Sequence, residues 1–168
     1  MSLLWSALYV GALGILSHYV GEAIPRRVFQ SDRFPYRAYK WEREGGIYDV
    51  IGIRHWKDRL PDMSRIMKDM VPKRVGKCPT SEEIWVLVGE TCRAEIVHLG
   101  LCLCAPVICL FWLDRIAVGV SLSAVVMICN IPFILIQRYN RPKLVSLARR
   151  LEAREERKRK NARIDSVG

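Results

Sequence analysis

Five polar or ionisable side chains fall within nine residues of a largely apolar stretch: Glu90, Thr91, Arg93, Glu95 and His98. At about 100° per residue on a helix, Thr91, Glu95 and His98 share one stripe within roughly 60°, with Glu90 and Arg93 beside it at i,i+3 spacing. A carboxylate one turn from an imidazole can orient the ring and stabilise its protonated form, as a general base requires, so His98 and Glu95 are the candidate catalytic pair. Glu90 and Arg93 can neutralise each other. The plainer reading of His98 is a core histidine hydrogen-bonded across a helix bundle.

Two other apolar stretches carry similar groups. His18 and Glu22 stand at i,i+4 just before one ends, and Asn130, Pro132 and the run Gln137-Arg138-Tyr139-Asn140-Arg141-Pro142 close another. Pro132 frees a backbone carbonyl one turn earlier and can kink its helix, either for packing or to admit a ligand. Arg138 and Arg141 suit a phosphate, and arginines at a span end are equally ordinary membrane anchors.

The elements that must position these groups follow from segregation along the chain. Residues 3–24, 84–113 and 116–136 are dominated by apolar side chains, and each is long enough for the roughly 20 helical residues that cross about 30 Å of hydrocarbon. Of 27 Lys and Arg, 14 fall between Arg26 and Lys77 and 11 between Arg138 and Arg163. Positive charge accumulates on cytoplasmic flanks, so residues 25–83 and the tail are expected inside and the N-terminus outside, which takes three crossings. The sequence therefore predicts an all-α integral membrane protein with one membrane domain, residues 1–143, and a basic cytoplasmic tail, residues 144–168. Arg26 and Arg27 follow the first apolar run rather than precede it, which favours a retained anchor over a cleaved signal peptide. Polar groups paid for by desolvation in all three spans then lie near the inner leaflet, and such groups mark function.

The formal charge of +10 flanks membrane spans, so anionic lipid headgroups, not nucleic acid, are the expected counterpart. Cys92, Cys102, Cys104, Cys109 and Cys129 lie in predicted spans and Cys78 in a loop placed in a reducing compartment; no disulfide and no zinc-knuckle spacing is expected. Met63, Ile66, Met67 and Met70 recur at helical spacing within 62–71, as in an interfacial helix. Residues 47–53 are strand-like or partly inserted, and no Gly-rich phosphate loop is present.

The segments E-T-C-R-A-E-I-V-H at 90–98, N-I-P-F-I-L-I-Q-R-Y-N-R-P at 130–142, K-W-E at 40–42 and W-K-D-R-L-P at 56–61 resemble the glycosyl-4,4'-diaponeurosporenoate acyltransferase family. The resemblance implies a bacterial cell-membrane enzyme that esterifies a sugar hydroxyl of a carotenoid glycoside with a fatty acyl chain. Acyl-CoA or an acyl-carrier thioester is the expected donor, with no bound cofactor and no metal. In this reading His98, oriented by Glu95, deprotonates the acceptor hydroxyl, and Arg93 or Asn130 stabilises the oxyanion. Trp56, Lys57 and Asp58, with Arg138 and Arg141, bind the donor's polar part; Glu90, Asn140, His18 and Glu22 complete the substrate-binding set. Two rival readings stand beside it: His18, Glu22, Glu95 and His98 as metal ligands, and a non-enzymatic membrane subunit whose charges pair with a partner.

Overall fold

A computed structural model describes residues 1–60 and 79–165; the expected interfacial helix at 62–71 and Cys78 lie outside the described residues. The described residues are all-helical. Helix α1 spans Ser2–Ala23, and Pro25 ends it by forcing Ile24 into extended backbone at φ −72°, ψ 123°. Short helical turns follow, over Lys40–Asp49 and Ile53–Trp56, the latter α2. The 47–53 segment is thus helical turn rather than strand.

Helix α3, Ser81–Cys104, starts on a capping box: Thr80 Oγ1 accepts from Glu83 N–H, and Glu83 Oε2 accepts from Thr80 N–H. It begins three residues before the expected span. Pro106 cannot donate to an α-helical ladder, and from Ala105 to Arg115 the chain tightens into 3-10 turns with a break at Trp112. Helix α4 then runs from Ile116 to Asp165 with Pro132 and Pro142 inside it, passing residue 143 without interruption.

α3 and α4 form an antiparallel hairpin, paired at Ser81–Glu155, Trp85–Glu152, Thr91–Arg141, His98–Asn130 and Cys109–Ser123. Gly119 makes the tight end possible, since a Cβ there would stand 2.9 Å from the Cys109 backbone. α1 lies along α3, tied by Tyr9 to the Cys104 carbonyl and by Trp112 to Ser6 at one end and by Glu22 to Arg93 at the other.

Two stretches are long and apolar enough to cross a membrane, Ser2–Ala23 and the continuous helical run Ser81–Asp165 that doubles back at Trp112. Only 6% and 11% of their most apolar windows are buried. Core helices of a soluble protein bury most of such a face, so these exposed faces are consistent with an apolar surrounding. The compact packing lies instead at the basic end. There Phe29, Tyr36 and Cys92 form one cluster, Tyr48, Ile53 and Tyr139 a second, and Ile84, Leu87 and Ala148 a third. The loop after α1 is thereby folded onto the hairpin.

Candidate functional site

Four charged side chains from three parts of the chain meet where that loop covers the hairpin. Glu95 of α3 is 2% exposed; its Oε1 accepts from Arg138 Nη1 at 2.7 Å and its Oε2 pairs with Arg141 Nη2 at 2.5 Å. The second contact is an ion pair without hydrogen-bond alignment. Arg138 also donates to both oxygens of Glu42, at 2.5 and 2.9 Å, and to the Pro35 carbonyl. Arg141 donates to Thr91 Oγ1, the Thr91 carbonyl and the Tyr36 carbonyl. Two carboxylates and two guanidiniums thus hold the loop, α3 and α4 together, with each planar fork meeting several fixed acceptors.

The Lys40–Asp49 turn positions Glu42, whose carboxylate also accepts from Tyr39 N–H and Tyr48 O–H. Burial pushes the Glu42 carboxyl up, but the donors from Arg138, Tyr48 and Tyr39 outweigh it and hold it below its ordinary range. Burial and the adjacent carboxylate push the Tyr48 phenol up to about 12. The turn needs Gly45: its φ is +92° and a Cβ would lie 2.9 Å from the Tyr139 carbonyl oxygen.

His98 lies on the hairpin farther from this basic end. Its Nδ1 faces Asn130 Oδ1 at 2.8 Å, while Asn130 Nδ2 donates to the Val126 carbonyl, so Nδ1 is the donor of this pair. The ring stacks on Phe133 at 4.7 Å. Arg93 points about 140° away around α3, toward α1: it pairs with Glu22 at 2.6 Å and Glu90 at 3.3 Å and lies over Phe29. Its Nε is buried with no acceptor among the described residues.

The structure divides the anticipated residues among separate groups: Glu95 with Arg138 and Arg141, His98 with Asn130, and Arg93 with Glu22 and Glu90. Both Glu95 oxygens face guanidiniums rather than His98, and His98 takes Asn130. Glu90 and Arg93 do pair, with Glu22 as a third member. His18 packs edge-on to Tyr19, so the four residues offered as metal ligands are directed to separate partners. Asn140 sits half-buried on α4 between the two arginines. Trp56 donates to the Ile51 carbonyl and packs against the Tyr48 cluster, and Lys57 pairs with its neighbour Asp58.

A cleft of about 410 Å³ opens beside the charged hub, walled by Glu42, Arg138, Arg141, Ser146, Arg149 and Arg150 among others. Trp56, Lys57 and Asp58 are not in its wall. Glu42, Tyr36 and Tyr48 are the residues that sequence reasoning did not place at the site. Helical periodicity is silent about an irregular loop, and the K-W-E segment was the one available signal.

The family model described as glycosyl-4,4'-diaponeurosporenoate acyltransferase matches residues 25–150, a range that includes the loop after α1, all of α3, the first part of α4 and every member of the hub. Two proteins of that name from Staphylococcus aureus, from strains bovine RF122 / ET3-1 and MRSA252, are 31% and 30% identical over 139 residues, 82% of this chain and 82% of each relative. No solved structure matches. With the match running through the buried arginines, their carboxylate partners and the His98–Asn130 pair, the chain belongs to the glycosyl-4,4'-diaponeurosporenoate acyltransferase family.

Proposed function

We propose that this protein is a three-span membrane O-acyltransferase that transfers a fatty acyl chain from a thioester donor to a sugar hydroxyl of a glycosylated carotenoid at the cytoplasmic leaflet. The relatives' name motivates the acceptor. The positive-inside distribution and the doubling back at Trp112 support three crossings with the N-terminus outside. At 1.5 Å per residue the 22 residues of α1 reach about 33 Å, enough to span.

The observation that carries the reading is the layering: ionised and hydrogen-bonded groups from the Lys40–Asp49 turn, α3 and α4 meet beside a cleft, while the apolar windows of the two candidate spanning stretches stay largely uncovered. A polar donor can approach from the cytosol and a lipid acceptor from the bilayer.

His98 Nε2 takes the proton of the acceptor hydroxyl as its oxygen attacks the thioester carbonyl. Asn130, which fixes the ring and gives one Nδ2 hydrogen to the Val126 carbonyl, has its second Nδ2 hydrogen to donate to the oxyanion. Collapse of the tetrahedral intermediate forms the ester and expels the thiolate, which recovers the proton from His98. Glu95 holds Arg138 and Arg141 at the cleft wall for the donor's polar part. Arg93, with its orphaned Nε–H, holds an acceptor oxygen between α1 and α3.

Lipid mass spectrometry of cells that make the glycosylated precursor tests this directly. A new species heavier by one fatty acyl group should accompany expression of the chain. An unchanged lipid profile with the protein folded in the membrane contradicts the proposal.

A further inference from the structure

We propose that the cleft beside α4 is the binding site for the phosphate groups of a phosphorylated pantetheine donor, with Arg149 and Arg150 as the recognising residues. This rests on the acyl-transfer reading and adds to it the donor's chemistry and two residues not implicated above.

The cleft wall follows one stripe of α4. Arg138, Pro142, Val145 and Arg149 recur at i, i+4, i+7 and i+11, with Arg141, Ser146 and Arg150 beside them. That stripe covers about 17 Å of helix axis. It leads from the cytosolic end of α4 to the charged hub, the direction in which a pantetheine arm must run for its thioester to move toward His98.

The four arginines are not equivalent. Arg138 and Arg141 are held by Glu42 and Glu95, whereas Arg149 and Arg150 are exposed and paired with no acid among the described residues. The acids nearest along the helix are directed elsewhere. Glu152 accepts from Trp85 Nε1, and Glu155 accepts from the Ser81 N–H and hydroxyl at the start of α3. Those Ser81 bonds hold the Glu155 carboxyl below its ordinary range, so it stays ionised and committed to α3.

Asp32 on the opposite wall offsets one charge, while Ser31 and Ser146 add hydroxyl donors. Arg154, Arg157, Lys158 and Arg159 continue the positive field along α4. A planar guanidinium with no carboxylate partner, in a cleft with hydroxyls, suits a phosphate presented in two-pronged fashion. Coenzyme A and an acyl carrier protein both present a phosphorylated pantetheine.

The test uses the full chain in a neutral maltoside detergent, which removes anionic lipid phosphates from competition. Palmitoyl-CoA, palmitoyl-phosphopantetheine and phosphate-free palmitoyl-pantetheine are compared as donors for wild type and for Arg149→Ala/Arg150→Ala. Losing hydrogen bonds to a charged ligand should raise the KM for palmitoyl-CoA about tenfold or more in the variant. With kcat held, that is a binding loss, and the preference for phosphorylated over phosphate-free donor collapses. An equal KM for both proteins, or an equal rise for all three donors, overturns the assignment. A parallel arm with palmitoyl-loaded carrier protein shows which carrier is the better source, and in either case the dependence on the two arginines must hold. If no donor supports transfer, the acyl-transfer reading fails, and equilibrium binding of coenzyme A decides the cleft separately. Binding weakened about tenfold in the variant upholds it, and absent or unaltered binding overturns it.

Discussion

The two ends of the helical hairpin solve the same packing problem with different materials. At the end near Trp112, helices are joined by neutral contacts: Trp112 donates to Ser6, Ser123 to the Ala105 carbonyl, and Gly119 lets the backbones touch. At the other end they are joined by Glu42, Glu95, Arg138 and Arg141, all but Arg138 under 5% exposed. Ion pairs are a poor way to gain stability, because withdrawing charges from water costs as much as or more than their attraction returns. The neutral end shows that this chain can join helices without them. The charges at the basic end are better explained by what they hold in place, the cleft wall, than by the stability they add.

Substitutions at each end put that contrast to the test. Glu95→Ala leaves two guanidiniums facing each other across a buried gap, a change of about 3–5 kcal/mol for an orphaned buried charge. Little folded protein should survive detergent extraction, as read by size-exclusion chromatography; a normal monodisperse yield would show that the hub is not under electrostatic strain. Arg141→Lys keeps the charge but cannot serve Thr91, Tyr36 and Glu95 from one planar fork, so about 1.5–3 kcal/mol should be lost. Thermal melting should fall accordingly, and transfer per folded molecule should fall with it.

At the neutral end, Trp112→Phe removes one hydrogen bond and should lower stability by about 0.5–1.5 kcal/mol, with the transfer rate per folded molecule unchanged. A rate loss there would mean the neutral end is more than scaffold. The smallest effect is from pH. Glu42 has a folded pKa below its ordinary 4.5, so its contribution is present above that value and is lost as pH falls through the lower folded one. Proteolysis at Lys40 and Arg43, followed between pH 7 and pH 3 with an acid-tolerant protease and tagged fragments, should quicken only at the acidic end.

Much of this was legible from residue order. Apolar runs and the basic flanks follow from segregation, which a sequence displays. Partner choice was not. Helical phase put Glu95 and His98 on one stripe, but phase says nothing of what a neighbouring helix brings to the same place. There Arg138 and Arg141 offered full charges and fixed geometry, and a buried carboxylate is stabilised far more by a guanidinium than by a neutral imidazole. The Glu42 side chain was illegible for another reason: its position depends on a turn that requires Gly45 at positive φ against the Tyr139 carbonyl, a contact between residues far apart in the chain.

His98, fixed by Asn130 and Phe133, is the proposed base for acyl transfer. Purified His98→Ala, matched to wild type for folded protein, should lose about a hundredfold in kcat for palmitoyl transfer to a glycosylated lipid hydroxyl. Full turnover by that variant would contradict the account.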